Sequence, residues 1–374
     1  MGRETVKTAK RVVIKLGTRV LTEGDNTLSI PVLRSIVGQV SVLARAGKQI
    51  IVVSSGAIAL GLSRMRMDQR PGDITLLQAA ASLGQSRLMH AYEDEFAGCG
   101  CETAQILLTY EDIQNRKRYL NIRNTIFTLW SFGTIPIVNE NDAVSFSEIR
   151  FGDNDLIAAY LANMIDADLL VLLTDIEGLY ESDPKENPSA RIMSDVKKID
   201  EKLLKTAKGK GSSFSSGGME SKLKAARIAT KGGIGTVIAS GRTCDIEELL
   251  NGEQIGTFFL PSVRKIKGRK RWIAFSPKTA GRIIIDRGGE QAIVRQKKSL
   301  LPAGIREVYG SFEIGSNVSI ENEEHREIAR GLSNFSSDEI RLIKGMNTRR
   351  IPEVLESDTY FEEVVHRDNM VILV

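Results

Sequence analysis

The chain has 374 residues, of which 42% are hydrophobic and 26% charged, close to the averages of globular proteins. That length is enough for two domains, and the composition excludes a largely disordered chain. Three cysteines and three histidines are scattered without a CxxC pair, which disfavours a disulfide framework and a zinc site. No aliphatic run approaches the roughly 20 residues of a membrane-spanning helix, and the N-terminus lacks a signal-peptide pattern. These features predict a cytoplasmic protein with no membrane partner.

The formal net charge of +4 is concentrated in one short segment. Residues 264–271 carry six Lys and Arg and no acidic residue, residues 1–263 are balanced, and residues 276–374 sum to −2. Such a run is most often a solvated connector. It could also contact phosphates, although nucleic-acid-binding proteins usually spread basic residues over a whole face.

Short aliphatic runs alternate with helical patterns between residues 10 and 260. The predicted strands are residues 11–16, 49–53, 103–108, 134–138, 169–173 and 236–240. The predicted helices are residues 75–96, 115–132, 154–165 and 219–231, together with an amphipathic helix after Ser29 that Ser29 can cap and Gly47 can end. This alternation predicts an α/β domain with a mainly parallel sheet covered on both faces. In such sheets, ligands bind beyond the carboxyl ends of the strands.

The pattern changes after Phe275. Short strands are predicted at residues 283–286, 307–312 and 317–320, separated by Gly, Pro and Asn, with brief helical spacing near residues 289–296 and 337–344. We therefore predict a first domain at residues 1–262, a basic linker at 263–276, a small β-rich domain at 277–360 and a C-terminal tail at 361–374.

Two strand ends and one helix start are candidates for phosphate binding. Lys15 precedes Gly17-Thr18 at the first strand end, and Ser54-Ser55-Gly56 follows the second strand. Backbone N–H groups at a helix start bind anions, although an ordinary serine cap explains the second pattern as well. In Ser216-Gly217-Gly218-Met219-Glu220-Ser221-Lys222, two glycines precede a helix with a lysine about one turn inside it. A plain linker before an ordinary helix is the alternative. No Walker sequence and no GxGxxG after a strand occur, which disfavours P-loop and dinucleotide-binding folds.

Polar segments at other strand ends are candidates for binding a small polar substrate. They are Asn139-Glu140-Asn141-Asp142, Asp153-Asn154-Asp155 and Thr174-Asp175. Carboxylates suit a substrate ammonium group, and carboxamides suit a substrate carboxylate. Asp153 is equally explained as a helix cap, and Thr174-Asp175 as a simple turn. No nucleophile paired with a general base is evident.

Five of these segments, in chain order, resemble the amino-acid kinase family. They are Val13-Ile14-Lys15-Leu16-Gly17-Thr18, Val53-Ser54-Ser55-Gly56-Ala57-Ile58-Ala59, Ile137-Val138-Asn139-Glu140-Asn141-Asp142-Ala143-Val144, Gly152-Asp153-Asn154-Asp155 and Ser216-Gly217-Gly218-Met219-Glu220-Ser221-Lys222. Arg269-Lys270-Arg271-Trp272-Ile273, Ala280-Gly281 and Ser299-Leu300-Leu301-Pro302-Ala303-Gly304-Ile305 resemble the junction and PUA domain of the family's glutamate-phosphorylating branch. The resemblance implies a three-layer sandwich with a mainly parallel central sheet, followed by a small β-rich PUA-like domain.

The resemblance also implies an activity and a set of site residues. The activity is ATP-dependent phosphorylation of the side-chain carboxylate of L-glutamate to L-glutamyl 5-phosphate, the first step of proline biosynthesis. Catalytic positions are Lys15, Lys222 and Asp155, with Asp153 a second candidate to hold the lysines. Substrate-binding positions are Ser55, Gly56, Asp142 and Asn154. Nucleotide-binding positions are Lys15, Gly17, Thr18, Thr174, Asp175, Ser216, Gly217, Gly218, Met219, Glu220, Ser221 and Lys222. No protein metal site is implied, because Mg²⁺ would be held largely by ATP oxygens and water.

Further implications of the resemblance are feedback inhibition by L-proline and assembly into a homo-oligomer, either a dimer or a tetramer. Two alternatives stay open. One is a kinase of the same fold acting on another acceptor, such as aspartate or N-acetylglutamate. The other is RNA binding through the PUA-like domain, which the net charge of −2 over residues 276–374 disfavours.

Overall fold

A computed structural model describes residues 2–145, 154–182, 184, 187, 189–206, 218–262, 269–355 and 361–374. The chain divides into two compact units, Met1–Lys265 and Ile266–Val374. Among the described helices, none combines the length and the apolar character needed to cross a lipid bilayer.

The described part of the first unit is built around an eight-stranded sheet in the order β3-β4-β2-β1-β5-β7-β8-β6. Its strands are β1 (Arg11–Leu16), β2 (Gln49–Ser54), β3 (Thr103–Leu108), β4 (Ile135–Glu140), β5 (Leu169–Thr174), β6 (Asp195–Val196), β7 (Gly235–Ser240) and β8 (Thr257–Phe259). Neighbouring strands are parallel except for the β7–β8 pair. The predicted mainly parallel sheet is therefore confirmed.

Helices cover both faces of this sheet, as the sequence predicts. They are α1 (Glu4–Lys7), α2 (Thr18–Leu21), α3 (Ile30–Arg45), α4 (Ala57–Arg64), α5 (Ile74–Gly98), α6 (Tyr110–Gln114), α7 (Arg116–Ser131), α8 (Asn154–Met164), α9 (Glu201–Thr206), α10 (Met219–Lys231) and α11 (Ile246–Leu250). One layer contains α3, α5 and α11, while α7, α8 and α10 form the other. The three-layer sandwich is thereby confirmed. Ser29 precedes α3 but makes no capping hydrogen bond, so the predicted serine cap is wrong. The helix instead has a proline in its first turn, where no backbone donor is required.

The alternation of side chains along β1 explains how a lysine comes to lie inside this domain. Val12, Ile14 and Leu16 point to one face and join the hydrophobic cluster that includes α3. Lys15 points to the opposite face, since successive side chains of a strand alternate. That face is covered by α8, which packs directly on β1. The strand pattern therefore directs Lys15 toward the start of α8.

Helices α4 and α5 pack closely because glycines stand where they approach each other. A Cβ atom at Gly84 of α5 would lie 1.8 Å from the backbone oxygen of Ala57, and one at Gly61 of α4 would lie 1.8 Å from that of Ala80. Ala57 begins α4 immediately after the Ser54-Ser55-Gly56 turn. This close packing therefore supports the turn that follows β2.

Replacing Gly84 with alanine should destabilise the first unit. We expect Gly84→Ala to lower the free energy of unfolding by about 3 kcal/mol, since the new methyl group meets backbone that must shift as a whole. The matched control is Gly38→Ala in α3, where nothing lies within 4 Å of an added Cβ. That change should raise stability by about 0.5–1 kcal/mol through helix propensity. Denaturant unfolding measures both, and equal stability of the two variants would contradict the packing argument.

The second unit contains a five-stranded sheet in its described residues, in the order β10-β9-β11-β12-β13. The strands are β9 (Gly281–Ile285), β10 (Ile305–Tyr309), β11 (Asn317–Glu321), β12 (Glu327–Leu332) and β13 (Met370–Ile372), and the helices are α12 (Arg269–Phe275), α13 (Arg287–Val294), α14 (Ser337–Ile343) and α15 (Ile351–Leu355). Residues 269–275 of the predicted linker form α12, whose Trp272 and Ile273 are buried. Residues 370–372 of the predicted tail pair with β12. Both segments lie within the second unit.

Candidate active site

A cavity of about 550 Å³ lies at the carboxyl ends of β1, β2, β4 and β5. This is the edge where a parallel sheet binds its ligands. Ten of the residues singled out from the sequence line it: Lys15, Gly17, Thr18, Ser55, Gly56, Asp142, Asn154, Thr174, Asp175 and Lys222. The structure thus brings together residues that span more than 200 positions of the chain.

The remaining sequence candidates fall into three groups. Asp155 is not part of the cavity lining but contacts both lysines that are, Lys15 and Lys222. Gly218 precedes α10, and Met219, Glu220 and Ser221 lie in its first turn. Asp153, Ser216 and Gly217 lie outside the described residues, so their predicted roles stay predictions.

Asp155 joins Lys15 and Lys222 in a buried charge cluster. The Nζ atom of Lys15 lies 2.5 Å from one carboxylate oxygen of Asp155, and the Nζ atom of Lys222 lies 3.2 Å from the other. Lys15 is 3% exposed, Lys222 5% and Asp155 0%. Each lysine comes from a different element, β1 or α10, and the aspartate comes from the start of α8. One carboxylate therefore holds two ammonium groups at the cavity wall.

The cluster contains two positive charges and one negative charge. Burial by itself raises the pKa of Asp155, but the ammonium groups of Lys15 and Lys222 together lower it more, and the net pKa lies below its usual value. Asp155 is therefore ionised at neutral pH. Both ammonium groups lie at the cavity wall, where low exposure to water strengthens the interaction of a positive charge with an anion.

On the other side of α8's first turn, Asn154 reaches the end of β2. Its carboxamide nitrogen donates to Ser54 O at 2.8 Å, to Ser55 Oγ at 3.0 Å and to Asn139 Oδ1 at 2.8 Å. Adjacent residues of a helix point about 100° apart, so Asn154 and Asp155 serve different walls of the site. Asn154, Asn139 and the hydroxyl of Ser55 form a neutral polar wall of the cavity. It lies next to the charged wall formed by Lys15 and Lys222.

Two glycines allow the backbone to approach the cavity. Gly56 has φ of +111°, in the left-handed region that other residues avoid. It precedes α4, whose first-turn N–H groups favour an anion. Gly17 precedes α2, and its N–H donates to Leu173 O at 3.1 Å, which ties the turn after β1 to the end of β5.

The end of β5 supplies a further polar group. Thr174 Oγ1 donates to one oxygen of Asp175 at 3.0 Å, and Arg19 Nη1 donates to the other at 3.1 Å. Burial raises the pKa of Asp175, but the hydrogen bonds from Arg19 and Thr174 lower it more, so its net pKa falls. Asp175 is thus an ionised acceptor at the cavity edge, suited to hydroxyl or amine donors.

Sequence reasoning missed several residues that the fold brings to the site. Arg19 lies within hydrogen-bonding distance of Asp175, yet its sequence position is that of an ordinary exposed helix arginine. Asn139 was recognised only as part of a polar segment, although it bonds to Asn154. Arg70 and Glu23 also line the cavity from loops. The amide-rich segment was a usable signal for Asn139, whereas nothing local marked the other three.

Among the described residues, no group of three or more His, Cys, Asp and Glu side chains is arranged to hold a metal ion. The carboxylate of Asp155, behind the cavity wall, is in contact with two lysines.

A nucleotide-sized cavity with buried lysines at the carboxyl edge of a parallel sheet is the arrangement of a phosphate-handling α/β enzyme. Comparison with known proteins identifies the family to which the chain belongs. Residues 10–240 match the amino acid kinase family, and residues 281–355 match the PUA domain. The chain therefore belongs to the amino acid kinase family and carries a C-terminal PUA domain, which confirms both resemblances drawn from the sequence.

The curated relatives are similar over the whole chain. Glutamate 5-kinase of Geobacter sulfurreducens is 47% identical and covers 97% of this chain and 98% of its own length. Glutamate 5-kinases of Pelobacter propionicus and Syntrophotalea carbinolica are 45% and 43% identical, and each covers 100% of both chains. The match thus includes both the kinase unit and the PUA domain.

Proposed function

We propose that this protein transfers the γ-phosphoryl group of ATP to the side-chain carboxylate of L-glutamate, forming L-glutamyl 5-phosphate, the first intermediate of proline biosynthesis. The observation that carries the proposal is the buried cluster of Lys15, Asp155 and Lys222 at the wall of the cavity. Relatives that match the full chain are named glutamate 5-kinase, and this supports glutamate as the acceptor.

The chemistry needs no general base. A glutamate side chain has a reference pKa of about 4.3, so it is already a nucleophilic anion at neutral pH. One of its oxygens attacks the γ-phosphorus, and the bond from that phosphorus to the β–γ bridging oxygen breaks, so that ADP leaves. What the protein must supply is alignment and positive charge around the transferring group.

The two lysines supply that charge. Lys15 lies on β1, shortly before α2. It would contact the transferring group from the side on which the acceptor binds. Lys222, one turn inside α10, would contact it from the nucleotide side. Asp155 holds both ammonium groups and positions them without itself taking part in proton transfer. Asp153 is proposed as a further partner of this cluster.

The acceptor and the nucleotide would bind to different sets of residues. Ser55, Gly56 and Asn154 would bind the acceptor through hydroxyl, backbone and amide groups, and the carboxylate of Asp142 would bind the acceptor's ammonium group. Gly17, Thr18, Thr174, Asp175 and residues 216–222 would bind the nucleotide. Mg²⁺ would neutralise charge on the phosphates when bound with ATP.

The experiment is acceptor-dependent ADP release by the purified protein with Mg-ATP. It compares L-glutamate, L-aspartate and N-acetylglutamate, and hydroxylamine traps any acyl phosphate as a hydroxamate. Glutamate-selective ADP release with matching hydroxamate is the expected result. Faster turnover of another acceptor would overturn the choice of glutamate while keeping the kinase chemistry. No turnover with any acceptor would overturn the proposal and favour RNA binding through the PUA domain.

Three sequence predictions extend this proposal. They are inhibition by L-proline at a site overlapping the acceptor site, assembly into a dimer or tetramer, and a cytoplasmic location. Activity that does not change in millimolar L-proline would remove the first of these.

A further inference from the structure

A chain of hydrogen-bonded side-chain amides runs from α5 to the neutral polar wall of the cavity. The carboxamide oxygen of Gln85 accepts a hydrogen bond from Asn139 Nδ2 at 2.7 Å. The oxygen of Asn139 in turn accepts from Asn154 Nδ2 at 2.8 Å. Gln85 does not line the first cavity, and its hydrogen bond to Asn139 links it to a residue that does.

Three hydrogen bonds hold the Asn139 amide in its orientation, and Gln85 makes one of them. Asn139 is 3% exposed, and its oxygen accepts two hydrogen bonds, from Asn154 Nδ2 and from the backbone N–H of Glu140, each at 2.8 Å. Its nitrogen therefore points away from both donors, toward Gln85. If the amide turned over, its nitrogen would face two other donors. The oxygen of Gln85 adds to the stability of this orientation by accepting a hydrogen bond from the Asn139 nitrogen.

Asn139 in turn orients Asn154. The nitrogen of Asn154 is surrounded by three acceptors, on Ser54, Ser55 and Asn139. Its carboxamide oxygen points the other way and is buried without a hydrogen-bond partner among the described residues. A buried acceptor with no donor costs free energy, so the hydrogen bonds of the nitrogen are what hold the Asn154 amide in this orientation.

We infer that Gln85 is a positioning residue for the acceptor. Its side-chain oxygen helps to hold Asn139, and through it Asn154, in the orientation that these amides have in the neutral polar wall, where the acceptor is proposed to bind. The inference rests on the proposed function, because it assumes that an amino-acid acceptor occupies this wall. Gln85 itself opens on a second cavity, which is lined by α5, β3 and residues 140–143.

The test compares variants at Gln85 in the full-length protein. Gln85→Met removes the acceptor oxygen at similar side-chain length, and we expect KM for L-glutamate to rise about tenfold, equivalent to about 1.4 kcal/mol. KM for ATP and kcat should change less than about twofold, since the lysine cluster is untouched. Gln85→Glu keeps an oxygen that accepts from Asn139, so its KM for glutamate should stay within about threefold of the wild-type value.

Two controls separate positioning from a general structural effect. Gln105→Met changes the same residue type on another wall of the second cavity and should leave KM for glutamate unchanged. In an Asn154→Ala background, Gln85→Met should add little, because both substitutions act through one contact and their effects are not additive.

Several outcomes would overturn the inference. An unchanged KM in Gln85→Met, a tenfold rise in folded Gln85→Glu, or full additivity with Asn154→Ala would each do so. If Gln85→Met does not fold, Gln85→Leu, which also lacks the acceptor oxygen, takes its place in the series, with Gln105→Leu as its control. If the wild type prefers another amino-acid acceptor, the same series run with that acceptor tests Gln85, while the choice of glutamate alone fails.

Discussion

Asp155→Asn is expected to cause the largest combined loss of activity and stability. The substitution preserves shape but leaves two buried ammonium groups without their shared counter-charge. Removing one partner from a buried charge network costs about 3–5 kcal/mol of folding free energy. We expect kcat to fall about 10³-fold as well, because the lysines are no longer held at the transferring group. Denaturant unfolding and the hydroxamate assay measure the two effects separately.

The matched control is Asp94→Asn, which removes an exposed carboxylate from α5. It should change neither kcat nor the free energy of unfolding.

The difference in unfolding free energy between wild type and Asp155→Asn should also depend on pH. The pKa of Asp155 is lower in the folded than in the unfolded protein. Its contribution is therefore complete above the unfolded value of about 3.9 and is lost as the pH falls through the lower folded value. A gap that persists unchanged into strong acid would contradict the charge-cluster explanation.

Lys222→Met is expected to abolish most turnover while the fold persists. Asp155 keeps Lys15 as a partner at 2.5 Å, so its carboxylate is not left unpaired. The transferring group, however, loses the positive charge on its nucleotide side. We expect kcat to fall by about 10²–10³-fold, with KM for glutamate changing less than about threefold. Steady-state kinetics with varied glutamate and ATP will show whether the loss falls on kcat.

Lys224→Met is the control for this substitution. Lys224 lies two residues further along α10, is about half exposed, and pairs with Glu220 at 2.9 Å. An exposed pair of this kind contributes little, so the variant should keep wild-type turnover. Comparable losses in both lysine variants would show that α10 responds to any loss of charge, and would remove the specific role proposed for Lys222.

The sequence predicted the central sheet because its longer strands are short, mostly aliphatic runs that alternate with helical patterns. Residues 11–16 and 219–231 were placed with the limits that β1 and α10 have in the structure. The second unit was harder to predict. The strand at residues 327–332 contains Glu, Arg and Gly, and the one at residues 370–372 is only three residues long. Strands that are very short or of mixed composition lack a clear hydrophobic pattern. They form because they pair with neighbouring strands of the sheet.

The sequence by itself determined which residue types stand at the strand ends and, by resemblance to a family, predicted catalytic roles for some of them. Alternation along β1 and the register of a helix start are local properties, so the directions of Lys15, Asn154 and Asp155 follow from the chain's own pattern. Only the tertiary structure decided that one carboxylate holds two lysines 207 positions apart. It also decided that Gln85 bonds to Asn139 across 54 residues. Such contacts depend on how the layers pack, and no local pattern in the sequence encodes the distance between two side chains that meet only after folding.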